Sequence, residues 1–333
     1  MDVAGGEVER VRAAVRDGGL LDGAPSLVAM LSGGRDSVCL LDVAVALRGA
    51  GAVHALHVNY GLRADADADE RHCAALCSQL GVELAVVRAA PRDTGEAGTG
   101  EGNLQAWARE LRYEAAERLA GEREALIATG HTASDQVETI LYRLAASPGR
   151  RALLGMPAAE GRLVRPLLTL TRGQTAAYCE QRGLGWREDP SNEDERFARA
   201  RVRARLVPAL RAVHPAAESN VLRTARLLRE EGELLDALVE AELEGGTSVE
   251  LARLEAIAPA LARLVVIRLA ERAAGTYVPQ AGERVQELLA LGRRGGHAEL
   301  HVGGQAGAVI EGGRLSMRRL PPRADRKRPP RGD

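Results

Sequence analysis

The sequence predicts an α/β protein: a doubly wound parallel sheet, followed by a smaller and mainly helical C-terminal domain. Three observations indicate this fold class. Strand and helix signals alternate over roughly the first 190 residues, as they do when helices join the strands of a parallel sheet. The apolar segment Leu27–Leu31 leads into the glycine-rich hexapeptide Ser32–Ser37, and a helical pattern follows at once. Beyond about residue 215, helical periodicity replaces the alternation.

The elements of the sheet domain follow one another in a regular order. Leu27–Leu31 is the first predicted strand, and Val38–Leu47 reads as a buried helix behind the glycine turn. Further strands are predicted at 52–58, 82–87 and 125–129, and the helices between them at 64–80 and 103–120. Residues 91–102 are rich in Gly, Thr and Pro and predict a mobile loop. Ser134 is expected to cap a helix that continues to about Ala146.

The hexapeptide Ser32-Gly33-Gly34-Arg35-Asp36-Ser37 lies where a strand turns into a helix. Backbone N–H groups and the positive end of the helix converge there, which suits a phosphate or pyrophosphate. Gly33 and Gly34 permit close approach of the backbone, while Ser32 and Ser37 add hydroxyl donors. Asp36 would repel a phosphate unless a cation lay between them, and this favours Mg²⁺. An ordinary strand-to-helix turn is the alternative interpretation.

This loop differs from two widespread phosphate-binding patterns. It matches neither G-x-x-x-x-G-K-[ST] nor G-x-G-x-x-G. The single lysine of the chain is Lys327, close to its end. The body of the protein therefore offers no lysine for phosphate binding, base catalysis or Schiff-base chemistry.

Two further loops are expected at the same edge of the sheet. Because ligands of doubly wound sheets bind beyond the carboxyl ends of the strands, residues 59–63 and 130–135 should lie beside the glycine loop. Asp135 and Glu138 are three residues apart at a helix start, so their carboxylates share one face. They could bind Mg²⁺ or an ammonium group, although acids are also favoured there by the helix dipole. His131 is either part of this site or an ordinary hydrogen-bonded loop histidine.

Length and composition narrow the class of protein. The chain has 333 residues, of which 45% are hydrophobic and 2% aromatic, and this length suggests two or three domains. Its cysteines form neither a disulfide framework nor a C-x-x-C pair. The sequence contains no signal-peptide pattern and no apolar stretch of about 18 residues. We therefore expect a cytoplasmic protein without a membrane segment.

The net charge of −1 conceals an uneven distribution of arginines. Between Arg196 and Arg229 there are nine arginines and a single acid, Glu218. A basic block of this kind is typical of contact with a phosphate backbone. A solvated helix face explains it equally well.

Several motifs together resemble one family. The Ser-Gly-Gly-x-Asp-Ser loop is similar to the PP-loop of the N-type ATP pyrophosphatases, and Gly130-His131 with the following Asp135-x-x-Glu138-Thr139 resembles their tRNA(Ile)-lysidine synthetase branch. Further segments of that branch match in order over about residues 25–215, at 57–63, 103–113, 155–156, 165–168, 186–192 and 199–203. Tyr60, where a histidine is usual, and Ala200, where asparagine is common, depart from its pattern.

The resemblance implies a Rossmann-like fold and a two-step reaction that uses ATP and Mg²⁺. The wobble cytidine of isoleucine tRNA with a CAU anticodon would attack the α phosphate of ATP through its O2 atom. The ε-amine of L-lysine would then displace AMP at C2. The tRNA and L-lysine are therefore the expected partners.

The resemblance also implies roles for particular residues. Asp135 and Glu138 would bind lysine, and Asp36 and Asp135 the metal. The ATP-binding residues would be those of the loop: Ser32, Gly33, Gly34, Arg35, Asp36 and Ser37. The catalytic residues would be Asp36, His131, Arg109 and Arg112. The tRNA-binding residues would be Arg199, Arg201, Arg203 and Arg205. For Arg109 and Arg112, pairing with the neighbouring Glu110 or Glu114 is an equal alternative.

The predicted domains are an N-terminal leader helix over 1–24, a catalytic domain over 25–215, a helical tRNA-binding domain with a small terminal sheet over 216–320, and a disordered basic tail over 321–333. Its helices are predicted at 216–244, 248–274 and 282–291, and its sheet at 297–318. Three other functions stay open: a PP-loop tRNA thiolase, which needs reactive cysteines or an iron–sulfur cluster, an amidotransferase-linked synthetase, which needs an N-terminal glutaminase, and a non-catalytic tRNA-binding protein. The oligomeric state is open, with a homodimer among the options.

Overall fold

The computed structural model describes residues 6–62, 65–89, 101–147, 149–188 and 195–321. The chain divides into two compact units, Met1–Leu228 and Arg229–Asp333. The division lies beyond the boundary at residue 215 that the sequence predicted, because Val221 and Leu222 pack in a cluster with residues of the first unit such as Val137. The leader helix also belongs to the first unit, since its apolar residues are buried in that unit's core.

The first unit is built on a six-stranded sheet in the order β3-β2-β1-β4-β6-β5. Its strands are β1 (Ser26–Met30), β2 (Val53–Asn59), β3 (Glu83–Arg88), β4 (Ala125–Ala128), β5 (Ala159–Glu160) and β6 (Leu163–Val164). The β1–β2, β2–β3, β1–β4 and β4–β6 pairs are parallel, and the β5–β6 pair at the edge is antiparallel. The chain leaves β1 toward β2 and later returns on its other side as β4. The carboxyl ends of β1, β2 and β4 therefore adjoin at a topological switch point.

Helices cover both faces of this sheet, and the apolar strands are buried between them. The helices are α1 (Gly6–Asp17), α2 (Arg35–Arg48), α3 (Ala66–Leu80), α4 (Glu101–Arg123), α5 (Ala133–Ala146), α6 (Arg150–Leu153), α7 (Arg172–Gln181), α8 (Ala198–Arg201) and α9 (Val207–Val213). Leu27 and Ala29 belong to the core layer shared with α1, α2 and α7. Val28 and Met30 belong to the opposite layer, shared with α4. Because both faces are buried, the strand reads as a continuous apolar run rather than an alternating one.

The second unit combines helices with a four-stranded antiparallel sheet in the order β7-β10-β9-β8. Its strands are β7 (Ser248–Glu250), β8 (Ala298–Gly303), β9 (Ala306–Glu311) and β10 (Arg314–Arg319). Its helices are α11 (Leu251–Ala256), α12 (Pro259–Ala274) and α13 (Val285–Arg293), and α10 (Ala217–Leu243) spans the division between the units. Val265, Leu269 and Leu315 are among the residues that form its core.

The predicted fold class is confirmed, and two local predictions are wrong. The helix over 248–274 is interrupted: β7 and α11 precede α12, which begins at Pro259, where proline lacks the N–H that a helix interior needs. Thr132, not Ser134, caps α5, because its hydroxyl accepts a hydrogen bond from the backbone N–H of Asp135.

Two predictions on mobility fall largely beyond the described residues. Of the loop expected over 91–102, only 101 and 102 are described, and they open α4. The tail predicted over 321–333 lies outside the described residues from 322 onward. Within the described ranges, no helix has the length and apolar character needed to cross a membrane.

Candidate active site

The loop between β1 and α2 presents free backbone donors. Gly33 has φ +82°, which favours glycine, and a Cβ there would make a tight contact of 3.3 Å with Cys73 Sγ. Ser37 Oγ donates to the carbonyl oxygen of Gly34 at 2.7 Å and accepts from the N–H of Ser32 at 3.2 Å, which fixes the turn. Within the described ranges, the N–H groups of Gly33, Arg35 and Asp36 have no protein acceptor. They form an anion-binding cradle at the start of α2.

The loop between β4 and α5 touches this cradle directly. A Cβ on Gly130 would lie 2.9 Å from both the carbonyl carbon and the oxygen of Asp36, and 3.0 Å from the nitrogen of Ser37. These are backbone atoms and cannot rotate away. Gly130 is therefore the residue that lets the two loops meet.

Asp135 and Glu138, on the first turns of α5, bind three arginines. Arg172 donates to Asp135 Oδ1 at 2.6 Å and to Glu138 Oε1 at 2.5 Å. Arg199 donates to the same Asp135 oxygen at 3.0 Å and to Glu138 Oε2 at 3.2 Å. Arg203 reaches the two oxygens of Glu138 at 2.8 and 3.0 Å. The predicted face of two carboxylates is thus present, and it accepts cationic nitrogen donors.

Local structure explains this convergence. The capping box of α5 fixes Asp135, whose Oδ2 accepts from the N–H and hydroxyl of Thr132 at 2.8 and 2.7 Å. Arg172 is the first residue of α7, directly after its capping residue Thr171. A π-helical turn over 202–206 joins α8 and α9 and carries Arg203, while Arg199 lies on α8. Turns of this kind are rare and frequently mark functional sites.

Charge and burial set the protonation of these groups. Burial would raise the pKa of Asp135, but Arg172, Arg199 and the hydrogen bonds from Thr132 lower it to about 2. Burial would also raise the pKa of Glu138. The hydrogen bonds from Arg203 and Arg172 outweigh the effect of burial, and the pKa of Glu138 is lowered as well. Both carboxylates are therefore ionised at neutral pH and present two negative charges to a cation.

His131 is a weaker base than an unperturbed histidine. Burial, followed by the charges of Arg199, Arg165 and Arg112, lowers its pKa to about 4 although Asp135 opposes the shift. Its Nδ1 is hydrogen-bonded to Thr129 Oγ1 at 2.8 Å. The imidazole is thus neutral at pH 7 and held in one orientation. An unperturbed histidine, with a pKa near 6.5, would be the stronger base.

Helix α4 also lines the site, through Arg109, Arg112 and Tyr113. Tyr60 donates to the carbonyl oxygen of Ala108 at 3.0 Å, and its ring meets that of Trp107 edge to face, with centroids 6.0 Å apart. Arg109 and Arg112 lie 4.7 and 5.7 Å from the ring centroid of Tyr113. Within the described ranges neither arginine forms an ion pair, so the expected alternative of pairing with neighbouring glutamates is not observed.

A cleft of about 650 Å³ unites these elements. Most of the predicted site residues line it: Ser32, Gly34, Arg35, Asp36, Ser37, Arg109, Arg112, His131, Asp135, Arg199 and Arg203. Within it, the buried Nε of Arg112 has no hydrogen-bond partner in the described part of the chain. An unpaired buried donor is costly, and an anionic ligand would satisfy it.

The structure adds residues that sequence reasoning missed. Arg172 touches both acids of α5 and approaches Asp36 Oδ2 to 3.9 Å, yet its only sequence signal was the position after a helix-capping threonine. Thr175, one turn on, donates to Asp36 Oδ1. Arg187 pairs with Asp69 and lines the cleft. It lies in the Trp186-Arg187 segment that the family resemblance included.

The four arginines predicted to bind tRNA all have partners within the protein. Arg199 and Arg203 face the acid pair, as described above. Arg201 donates to the backbone oxygens of Glu195 and Arg196 at 2.9 and 2.7 Å, and Arg205 pairs with Glu195. Binding of RNA phosphates by these side chains stays a prediction, and it would require exchange of partners.

Asp36 and Asp135, the two predicted metal ligands, differ in how well they could bind Mg²⁺. Mg²⁺ is usually held by one or two carboxylates together with substrate phosphates and water. Asp36 is suited to this role, because among the described residues only Arg172 approaches its Oδ2, at 3.9 Å, and the cradle is adjacent. Both oxygens of Asp135 are already occupied, by Thr132 on one side and by two arginines on the other. The predicted metal role of Asp36 is compatible with this structure, and that of Asp135 is not compatible with the present contacts.

The fold and cradle define an ATP-binding protein of the PP-loop class, and comparison with known proteins agrees. Residues 8–210 match the PP-loop domain family. The chain therefore belongs to the PP-loop family. Its curated relatives carry a more particular name: 219 residues are 40% identical to the tRNA(Ile)-lysidine synthase of Pseudomonas fluorescens, covering 64% of this chain and 48% of that protein.

A second relative extends further along the chain. The tRNA(Ile)-lysidine synthase of an Azoarcus species is 36% identical over 302 residues, covering 86% of this chain and 64% of that protein. The chain thus spans about half the length of the first of these relatives and less than two thirds of the second. The resemblance predicted from the motifs is confirmed.

A solved structure has a similar fold. The U34-tRNA thiolase of Methanococcus maripaludis superposes with a TM-score of 0.55 at 19% identity, covering 67% of this chain and 80% of that one. At this identity the similarity concerns the fold alone.

Proposed function

We propose that this protein ligates L-lysine to C2 of the wobble cytidine in isoleucine tRNA with a CAU anticodon, using ATP and releasing AMP and pyrophosphate. The observation that carries the proposal is that a set of free backbone donors and a pair of carboxylates meet at one cleft, which Arg35, Asp36 and Asp135 line. The cradle of Gly33, Arg35 and Asp36 offers backbone donors to a phosphate. The carboxylates of Asp135 and Glu138 accept cationic nitrogens at 2.5–3.2 Å. Joining an amine to an adenylated substrate requires both.

The first step transfers the adenylyl group. The Ser32–Ser37 loop holds the β and γ phosphates at the start of α2, and cytidine O2 attacks the α phosphorus while the bond to pyrophosphate breaks. Arg109 and Arg112 face the negative charge that develops on the phosphate oxygens. The unpaired Nε of Arg112 makes it available for this role.

The second step forms the C–N bond. Asp135 and Glu138 bind an ammonium group of lysine, and the ε-amine must lose a proton to solvent before its lone pair can attack C2. The C2–O2 bond then breaks, O2 leaves with AMP, and a second proton leaves the new C–N nitrogen for solvent. His131, neutral and held by Thr129, orients the reactants rather than serving as a strong base.

Mg²⁺ belongs to the proposal with Asp36 as its carboxylate. When bound, the ion would neutralise phosphate charge next to the loop. The proposal also includes a cytoplasmic location and assigns contact with the tRNA body to the C-terminal region over 216–320.

A PP-loop tRNA thiolase is the second candidate, and the cysteines argue against it. All four, Cys39, Cys73, Cys77 and Cys179, lie in the described part of the chain and are buried. Burial raises the pKa of Cys73 to about 12 and that of Cys77 to about 11. A reactive thiolate needs a lowered pKa and access to substrate. None of the four is among the residues that line the cleft.

Incorporation of labelled lysine tests the proposal. We expect nuclease-stable transfer of label to isoleucine tRNA with a CAU anticodon in the presence of ATP and Mg²⁺, and none to methionine tRNA with the same anticodon. Asp36→Ala should abolish pyrophosphate release and leave tRNA binding within a few fold. Pyrophosphate release with another tRNA and a sulfur donor, without lysine transfer, would favour the thiolase instead.

A further inference from the structure

The acid pair on α5 is already filled by this protein's own cations. Seven hydrogen bonds join Arg172, Arg199 and Arg203 to Asp135 and Glu138 at distances between 2.5 and 3.4 Å. The Glu138 side chain is only 3% exposed. An ammonium group from a ligand cannot reach these oxygens unless at least one guanidinium departs.

The three arginines differ in how firmly they are held. Arg172 opens α7 directly after its capping box, and its side chain is 21% exposed. Arg199 and Arg203 are 44% and 35% exposed and lie on the short α8 and the π-helical turn that follows it. A partly solvated guanidinium on a long side chain loses less on leaving an ion pair than a buried one does. Arg199 and Arg203 are therefore the exchangeable cations, and Arg172 is the fixed one.

The exchangeable arginines lie at the cleft in which the glycine-rich loop offers its anion-binding donors. Both line the same cleft as Ser32, Gly34 and Asp36. A phosphate group bound there would compete with the carboxylates for the guanidinium groups, because Arg pairs with either anion in the same forked geometry.

We propose that Arg199 and Arg203 are positioning residues that exchange partners: they occupy the lysine site in the free protein and move to a phosphate-bearing ligand when it binds, which opens Asp135 and Glu138 to the amine. The inference rests on the proposed function, since it takes lysine as the cation. The phosphate can come from ATP or from the tRNA backbone. Because binding free energies are reciprocal, each phosphate ligand would then tighten lysine binding, and lysine would tighten binding of that phosphate ligand by the same factor.

A binding cycle measures this coupling. The dissociation constant of L-lysine is determined by calorimetry for the whole protein alone, with a non-hydrolysable ATP analogue and Mg²⁺, and with the tRNA. We expect the wild-type protein to bind lysine at least about fivefold more tightly in one or both phosphate-bound states, within the range of ordinary couplings. The arm that produces the effect identifies the source of the phosphate.

Two variants and one control separate exchange from simple charge attraction. Arg199→Gln and Arg203→Gln should tighten lysine binding to the free protein and reduce the coupling toward unity, because the competitor is already gone. Arg211→Gln removes the same charge from a side chain that pairs with Glu218 on the surface, and it should leave the coupling at its wild-type value. Thermal unfolding of each variant verifies that it is folded.

The outcomes are distinct. Coupling that persists unchanged in both variants, or lysine binding that is equally tight in all states of the wild-type protein, would overturn the exchange and leave the proposed function in place. Absence of lysine binding in every state and variant would overturn both.

Discussion

The contact between Gly130 and the Asp36–Ser37 peptide allows a sharp test of how the site is built. In Gly130→Ala the new methyl group would lie 2.9 Å from the carbonyl carbon and oxygen of Asp36, whereas ordinary van der Waals contact begins at 3.4 Å. The loops would have to separate by roughly 0.5 Å, and overpacking of this kind costs about 1–3 kcal/mol. Displacements of about 1 Å at reacting groups can cost on the order of 100-fold in rate. We therefore expect at least about a tenfold loss of ATP-analogue affinity or of tRNA-dependent pyrophosphate release.

Gly51→Ala is the matched control for this variant. A Cβ on Gly51 meets nothing within 4 Å and its φ is not positive, so stability and nucleotide affinity should stay at wild-type values. Urea unfolding gives the free-energy change, and titration with a non-hydrolysable ATP analogue gives the affinity. If Gly130→Ala matches the wild-type protein in both measurements, or if Gly51→Ala suffers the same loss, the reasoning from close approach of the two loops is refuted.

Three further predictions follow from other contacts. Asp42 is 2% exposed and accepts hydrogen bonds from Tyr178 and Arg182. Asp42→Ala should therefore lower the free energy of unfolding in urea by about 3–5 kcal/mol. Glu287→Ala, which removes the exposed pair with Arg284, should lower it by less than about 1 kcal/mol. The pKa of His131 is lowered from 6.5 to about 4 in the folded protein, so on acidification the unfolded chain takes up this proton first. The free energy of unfolding should therefore fall as the pH decreases from about 6.5 to about 4. His131→Asn should flatten this pH dependence, and an equal slope in both proteins would contradict the prediction. Tyr60→Phe keeps the ring contact with Trp107 but loses the hydrogen bond to Ala108, so the free energy of unfolding in urea should fall by about 0.5–1.5 kcal/mol. Tyr142→Phe, at an exposed position, should leave that free energy unchanged.

Periodicity and turn chemistry predicted the architecture of the first unit well, because they act over short distances along the chain. The apolar run Leu27–Leu31 and the glycines after it specify a strand and a turn whatever surrounds them. The order of strand and helix signals then leaves few ways to arrange a parallel sheet. Errors arose where two local signals competed: Thr132 and Ser134 can both cap a helix, and the hydrogen bond to Asp135 decides for Thr132.

The candidate site was predicted in its residue types and only partly in its contacts. The sequence marks Asp135 and Glu138 as neighbours on one helix face, since their spacing alone brings them together. It could not reveal that Arg172 reaches them, because that residue is more than thirty positions away and only the packing of α7 against α2 brings it near. Four arginines of the basic block, at positions 199, 201, 203 and 205, were predicted to bind tRNA. In the folded chain, Arg199 and Arg203 turn toward buried carboxylates, whose desolvation makes ion pairing worth more there than at the surface.

The sequence by itself determined the strands, the glycine turn with its free amide groups and the acid pair, because each depends on residues within one or two helical turns of one another. The tertiary structure decided what those groups meet. It placed Gly130 against the backbone of Asp36 and Ser37, lowered the pKa of His131 by burial, and paired the two acids of α5 with arginines from α7, α8 and the π-helical turn. Such contacts depend on distance in space and on the exclusion of water, and neither quantity is encoded in the spacing of residues along the chain.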